Sequence, residues 1–450
     1  MTARPAPGSP IVRLVLALLA GVTLSCGGGD SSPTSADSDG GATTANCTTL
    51  GQCTFVRDTL QSYYYWYEEL PNPDPGSFAS PEAYLEAVRY RALDSSFSYI
   101  TSKASSDAFY SESQFIGFGL SYKRTGDTEL RLAQTFPGSP AADAGMGRGD
   151  TLLSVNGKAV ADLLRTGEIN TIFGAEQVGV TADVAWRDMA GGQRSATLAK
   201  RLVTIPTVSQ TAVLSAGSSR VGYIHFRNFV QPSVEALNNA FTQIRDQGAT
   251  ELVLDLRYNG GGLVSVAQHL AGLIAGPPLV GQVFVQFTHN DKQASRNTAY
   301  RFESKPQALA ATRLVVIATQ ASASASEAIV NGLRPHMEVK VVGDATYGKP
   351  VGQYGFDFCE KVLYPVSFLV TNARGEADYF NGIPADCAAA DDVDHALASP
   401  QEASLAEALY VVRTGRCSGT AAAQAQVQDR FRERVRPIPT DGWRQTLNAW

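Results

Sequence analysis

The most constraining stretch of this chain is Leu252–Gly262, LVLDLRYNGGG, where a near-continuous apolar run passes into three consecutive glycines. A run of that kind is expected of a strand covered on both faces. Leu314–Ala318 and Val339–Val342 repeat it, Val221–Phe226 reads as a further strand, and Val362–Thr371 as a longer one. Ser233–Gln247 has the spacing of an amphipathic helix that stops near Gly248. Strands alternating with helices indicate an α/β unit from about Val221 to Tyr410. Successive glycines let several backbone N–H groups converge on one point, because no side chain blocks the approach. Such a loop suits an oxyanion hole or a phosphate cradle. No Gly-Lys-Ser/Thr follows, so the pattern of nucleotide-binding P-loops is not met.

At 450 residues the chain is too long for one ordinary domain. An apolar fraction of 44% with 18% charged residues is globular and excludes a mostly disordered chain. The net charge of −6 argues against nucleic acid as a partner, since phosphate contacts need a basic surface. The five histidines (His225, His269, His289, His336, His395) form no zinc-ligand pair such as H-E-x-x-H. Arg4 and Arg13 precede an apolar run, Leu14–Leu24, that ends at Ser25-Cys26-Gly27. This reads as an export signal over 1–26, too short to span a bilayer. It resembles a bacterial lipoprotein signal in which Cys26 takes the lipid, with departures at Thr23 and Leu24; the alternative is a plain signal peptide. Residues 27–46, rich in Gly, Ser, Thr and Asp, read as a flexible tether. The expected location is therefore outside the cytoplasm, anchored to a bacterial membrane and facing the periplasm. In an oxidising compartment Cys47 could pair with Cys53, and Cys359 with Cys387 or Cys417.

Three folded units are expected. Residues 47–113 read as helical, with Phe55, Leu60, Tyr63, Tyr64, Trp66 and Tyr67 as a core stripe and a second helix opening at Pro81. Residues 114–203 change to short strands. There Phe115–Leu120 carries two glycines, a Pro-Gly turn follows at 137–138, and Gly149-Asp-Thr-Leu-Leu-Ser-Val-Asn-Gly157 gives turn, strand and Asn-Gly hairpin. In that order these segments resemble a PDZ domain. The resemblance places a carboxylate-binding loop at Phe118, Gly119 and Leu120, where backbone N–H groups receive a chain terminus and an edge strand adds a peptide. Residues 204–415 hold the α/β unit, and 416–450 an extension whose Arg430–Arg436 cluster reads as a solvated helix face.

Two segments complete a candidate site with the glycine loop. Ala321–Val330 (ASASASEAIV) follows the Leu314–Ala318 strand and opens a helix near Glu327, which places hydroxyls at the positive end of a helix dipole. The bland use of such serines is a helix cap. Gly343–Pro350 (GDATYGKP) sets one lysine, Lys349, in a tightly shaped turn after a strand. Together these segments resemble the C-terminal processing (tail-specific) proteases, which pair a Ser/Lys dyad with a PDZ domain. The resemblance covers roughly Cys47 to Tyr410. In that family the nucleophile precedes the lysine by 25 residues, and 349 − 324 = 25, which selects Ser324 over Ser322 and Ser326. A glutamine four residues past the lysine is frequent there, and Gln353 occupies that place. Gly382-Ile-Pro-Ala-Asp386 resembles the family's closing Gly-Ile-x-Pro-Asp segment with Pro and Ala exchanged. Pro350, where the family has Gly, is a departure.

The resemblance implies a multidomain α+β fold: a helical N-terminal unit, a small PDZ-like β domain and an α/β catalytic domain. It also implies a serine endopeptidase acting near the C-termini of exported proteins or peptides, with no metal or organic cofactor. A serine hydroxyl becomes nucleophilic only when a base takes its proton. Lysine can do so only uncharged, which requires burial to bring it from about 10.4 towards 7–8. Lys349 should then be enclosed by apolar groups and lack a carboxylate partner. Gln353 would orient Lys349 or the scissile peptide, and the N–H of Ala325 with that of Gly261 or a neighbouring glycine would form the oxyanion hole. Two alternatives stay open: a catalytically silent PDZ-bearing binding or scaffold protein, and an esterase-like hydrolase using His336 as base.

Overall fold

This computed structural model of the protein describes residues 46–419. Cys26, nearly all of the tether and the tail beyond 419 lie outside them. The central sheet runs in the order Val208–Ala216, Ser219–Phe226, Glu251–Asp255, Arg313–Ala318, Glu338–Gly343, Cys387–Ala388. Its first pair is antiparallel and every later pair parallel. Alternate residues serve two cores, as the unbroken apolar runs require. Ile224, Leu254 and Val316 pack in the core that holds helices Ser233–Asp246, Val264–Ala275 and Ala325–Leu333. Tyr223, Val253, Val315 and Ile317 face the core of helix Ala403–Thr414. Parallel strands put their carboxyl ends on one edge, so loops 256–263, 319–324 and 344–350 converge there, where open α/β sheets place their sites.

The expected long strand Val362–Thr371 is two strands. Pro365, which has no N–H to give a ladder, separates Lys361–Tyr364 from Val366–Asn372, and the two belong to different sheets. Val366–Asn372 lies in a four-stranded antiparallel sheet with Val351–Gln353, Val283–His289 and Thr298–Arg301. Lys361–Tyr364 pairs with Phe356–Phe358 and with Tyr99–Ser102. The N-terminal unit is therefore not purely helical: it has helices Thr49–Tyr63 and Pro81–Val88, but it closes on strands supplied from the far end of the chain. Tyr64, Trp66 and Tyr67 lie past the end of the first helix. The cysteine pairing differs as well. Cys47 bonds Cys359 and Cys387 bonds Cys417, while Cys53 is a buried thiol.

Residues 114–204 form the β-rich module. Gln114–Gly117 pairs with Arg201–Thr204. A second sheet runs Leu120–Arg124, Leu130–Thr135, Thr151–Val155, Thr181–Arg187, Gln193–Ala199, with Leu120–Arg124 at its edge. Asn156 and Gly157 both have positive φ (51° and 76°), the left-handed pair that a tight hairpin turn requires.

A buried ionic network fastens the glycine-loop strand to this module. Arg257, fully buried, bonds Asp255 at 2.7 Å, Glu402 at 2.7 Å and Asp391 at 3.2 Å. Asp391 also accepts from the Tyr258 hydroxyl at 2.6 Å and from Lys123 of the β module at 2.9 Å. Arg148 of that module donates to the Tyr258 hydroxyl at 3.1 Å. Burial alone would raise the Asp391 carboxyl, but Arg257, Lys123 and Arg148 outweigh it and hold it at about 2, against an ordinary 3.8. Because the folded-state value is depressed, this carboxylate stabilises the fold above about pH 4. The contribution, about 2 kcal/mol, is lost as pH falls through about 2. Removing it strands buried cations, so we predict that Asp391→Ala costs about 3–5 kcal/mol at neutral pH, measured by denaturant unfolding.

Candidate functional site

Ser324 is the N-cap of helix Ala325–Leu333 and has φ 55° and ψ −113°. A non-glycine residue in such a conformation is strained and persists only where its surroundings impose it. They do so here. The Ala323 N–H donates to Asn259 O at 3.0 Å on one side, and the Ser324 N–H to Glu327 Oε2 at 2.8 Å on the other. The neighbouring serines are structural: Ser322 Oγ donates to Leu256 O at 2.7 Å and Ser326 Oγ to Asn259 O at 2.9 Å, and both are buried. Ser324 itself is half-buried at the helix N-terminus.

Glu327 is a fully buried carboxylate shared by two loops. Besides the Ser324 N–H it accepts from the Thr346 hydroxyl at 2.6 Å, the Gly348 N–H at 2.6 Å and the Lys349 N–H at 2.8 Å. The Ser324 and Lys349 main chains are thus held by the same carboxylate oxygen. Burial pushes the Glu327 carboxyl up, and the hydrogen bonds pull against that without cancelling it. The sequence marked Glu327 only as the opening of a helix; its spacing of three from Ser324 fits a capping box, but its hold on the lysine loop needed the fold.

Lys349 is 3% exposed, and its Nζ donates to Gln353 Oε1 at 2.5 Å. The Gln353 amide nitrogen donates to Phe97 O at 2.6 Å and to Tyr364 O at 2.7 Å. Both its donors are therefore committed to main-chain carbonyls, which fixes Oε1 towards the lysine and leaves no donor for a substrate peptide. Pro350 is accommodated because it stands just before strand Val351–Gln353, where its carbonyl accepts from the Val370 N–H at 2.8 Å. The Gly382–Asp386 segment braces the same loop. Gly382, at φ 89°, lies so near Thr346 that a Cβ would come 2.2 Å from its carbonyl oxygen. The Ile383 N–H donates to Thr346 Oγ1 at 2.7 Å.

Gly261 packs against the Ser324 loop, where a Cβ would stand 2.8 Å from the Ala325 nitrogen and 2.9 Å from Ser324 Cβ. Its N–H, however, donates to Asn259 Oδ1 at 2.9 Å. Gly261 thus shapes the cleft by its lack of a side chain, and its N–H, expected as an oxyanion donor, is engaged by the Asn259 side chain. Gly262 pairs with Phe229 in a parallel bridge whose bonds use Gly261 O and the Leu263 N–H, so the Gly262 N–H points to the opposite side. His336 is remote from Ser324. It lies past the far end of the helix, about 13 Å along the axis, and its Nε2 sits 2.8 Å from Val283 O. Phe118, Gly119 and Leu120 lie in the β module. Their loop is anchored by the Ala141 N–H to Phe118 O and by the Phe136 N–H to Gly119 O, each at 2.9 Å.

Residues 220–387 match the family model of peptidase family S41, and residues 51–99 match that of the S41 N-terminal domain. These two segments carry the peptidase family S41 pattern, and the chain is similar to the C-terminal processing proteases of that family. It is 27% identical over 247 residues to a carboxyl-terminal-processing protease of Synechocystis, covering 54% of this chain and 55% of that protein. It is 26% identical over 237 residues to a carboxy-terminal processing protease of Bacillus subtilis, covering 52% and 47%. The match thus spans about half the length of these relatives. A Bacteroides fragilis protein described as an S41 protease superposes with a TM-score of 0.64 at 24% identity, over 80% of this chain and 96% of that one, and so shares the fold. The S41 model covers all three loops of the site, and the N-terminal one includes Phe97.

Glu327→Gln would turn an amide nitrogen towards groups that are all donors and leave at least one buried donor unmatched. We predict a fall in kcat of about a hundredfold or more with little change in KM, because the Ser324 and Lys349 loops lose their common tether. Steady-state kinetics beside a thermal melt checks this.

Proposed function

We propose that the chain is a serine endopeptidase that cleaves exported proteins or peptides near their C-termini. The observation that carries this reading is the single buried carboxylate, Glu327, joining a strained, half-exposed Ser324 to the loop of a buried Lys349. Lys349, uncharged, takes the proton from Ser324 Oγ as that oxygen bonds the scissile carbonyl carbon. The resulting ammonium returns the proton to the leaving amine when the C–N bond breaks. Water then repeats the sequence on the acyl-serine, with Lys349 again accepting and donating the proton. Gln353 holds the lysine rather than the peptide, since its amide donors are already engaged. The Ala325 N–H at the helix start and the N–H of Gly262 are the oxyanion donors this reading assigns. A silent scaffold would not need a strained serine whose main chain is tied, through one buried carboxylate, to the loop of a buried lysine. The histidine-based esterase is disfavoured by the distance of His336 from Ser324.

The PDZ reading of residues 114–203 is supported by the edge strand Leu120–Arg124, which can accept a peptide strand, and by the Phe118-Gly119 turn at its start. The reading of an exported chain is supported by two disulfides, which persist in oxidising compartments. No helix among the described residues is long and apolar enough to cross a membrane. Attachment through a lipidated Cys26 is part of the proposal and rests on the sequence around that residue alone.

Ser324→Ala and Lys349→Ala should each lower kcat/KM on a peptide with an apolar free C-terminus by about 10³-fold or more. Retained activity in Lys349→Ala together with its loss in His336→Ala would replace the Ser/Lys reading with a histidine base. Removing residues 114–203 should reduce the preference for a free over an amidated C-terminus, measured as a ratio of kcat/KM values; an unchanged ratio would count against the PDZ role.

A further inference from the structure

The Lys349–Gln353 pair is completed by a residue from outside the α/β domain. Residues 94–98 of the N-terminal unit form a turn built around Asp94, which is wholly buried. Asp94 Oδ1 accepts from the Phe97 N–H at 2.8 Å and the Ser98 N–H at 3.0 Å. Its Oδ2 accepts from the Ser98 hydroxyl at 2.5 Å and the Tyr64 hydroxyl at 2.9 Å. A turn with four donors on one carboxylate is rigid, and it is docked at both ends: Ser98 Oγ accepts from the Val366 N–H at 2.9 Å, and Ser96 Oγ lies 3.2 Å from the Tyr347 hydroxyl. It presents Phe97 to the site twice over. The Phe97 carbonyl takes the Gln353 amide at 2.6 Å, and its ring lies 5.9 Å from Lys349 Nζ and 6.0 Å from the Tyr347 ring. Phe97 is itself 1% exposed.

We infer that Phe97 is a positioning residue for the catalytic base: its carbonyl fixes Gln353, and its ring keeps water from Lys349. This rests on the Ser/Lys reading and deepens it. A ring near a lysine also attracts the ammonium form, but 5.9 Å is close to the limit of about 6 Å for that attraction. Exclusion of water, which disfavours the ammonium by as much as three to five pKa units at full burial, is the larger effect. Titratable groups close to this arrangement include Glu327, whose carboxylate holds the Lys349 main chain, Tyr347 beside the ring, and Asp94 behind it. Substitution at Phe97 removes none of these groups, and the contacts of Glu327 and Asp94 are made with main chain and with side chains other than that of Phe97.

The test is the pH profile of kcat/KM in the full chain, with folding verified by thermal melts. Phe97→Ala admits water, so the acid-side midpoint should rise by about one pH unit or more, with a further loss of about tenfold at pH 7. Phe97→Leu keeps an apolar cover and should leave the midpoint near that of the unaltered protein. The pH dependence of Lys349 acetylation by acetic anhydride, followed by peptide mass spectrometry, should move in parallel. If Phe97→Ala does not fold, Phe97→Val, which removes the ring but keeps some bulk, must shift both midpoints in the same direction. Unmoved midpoints, or an equal loss at every pH in the alanine and leucine variants, would overturn the inference. Were Lys349→Ala inactive while those midpoints stayed fixed, only the role of Phe97 would fall; an active Lys349→Ala would remove the Ser/Lys reading itself.

Discussion

The site depends on one buried carboxylate. Glu327 stands on the first turn of the helix capped by Ser324 and accepts from Ser324, Thr346, Gly348 and Lys349 at 2.6–2.8 Å. Such a group is expensive to bury and survives only because its hydrogen bonds are made in full. Once made, they bring two loops from the ends of two parallel strands into a fixed relation. They also hold Ser324 in a backbone conformation that a free chain would leave. Glu327 acts on the lysine loop through the main chain, by accepting the Lys349 N–H.

The glycine loop is held by a second arrangement of the same kind, one strand away. Asp255, Arg257 and Tyr258 lead into it, and Tyr258 has φ 64°, again a left-handed non-glycine. Its hydroxyl is bound to Asp391 and Arg148, so a residue of the β module and a residue near the end of the chain meet at the root of the glycine loop. Segments distant in sequence therefore join at the site: the Asp94 turn from the N-terminal unit, Arg148 from the β module, and Asp391 from beyond the last sheet strand.

What the sequence disclosed follows from this. Ser324, Lys349 and Gln353 were singled out through the family resemblance of the segments that carry them, and the central strands could be read because unbroken apolar runs imply cover on both faces. Glu327 was visible only as a helix start, since its partners lie about twenty residues on and are mostly main-chain groups. The loss of Gly261 as a donor turns on one side-chain contact with Asn259, which no spacing encodes. Phe97, the Cys47–Cys359 bond and the pairing of Tyr99–Ser102 with Lys361–Tyr364 are contacts between residues more than 250 positions apart. The expectation of Cys47 with Cys53 followed local proximity and was overridden by a strand pairing that brings Cys359 to the N-terminal helix. Pro365 was on view within the run Val362–Thr371, and its missing N–H was the signal that the run is two strands.

The central claim is that an amine activates Ser324, and covalent trapping tests it most directly. Intact-protein and peptide mass spectrometry after exposure to a peptidyl phosphonate ester should find one adduct, on Ser324. That adduct should form at least about a hundredfold more slowly in Lys349→Ala. Labelling of another residue, or an undiminished rate in the lysine variant, would contradict the account.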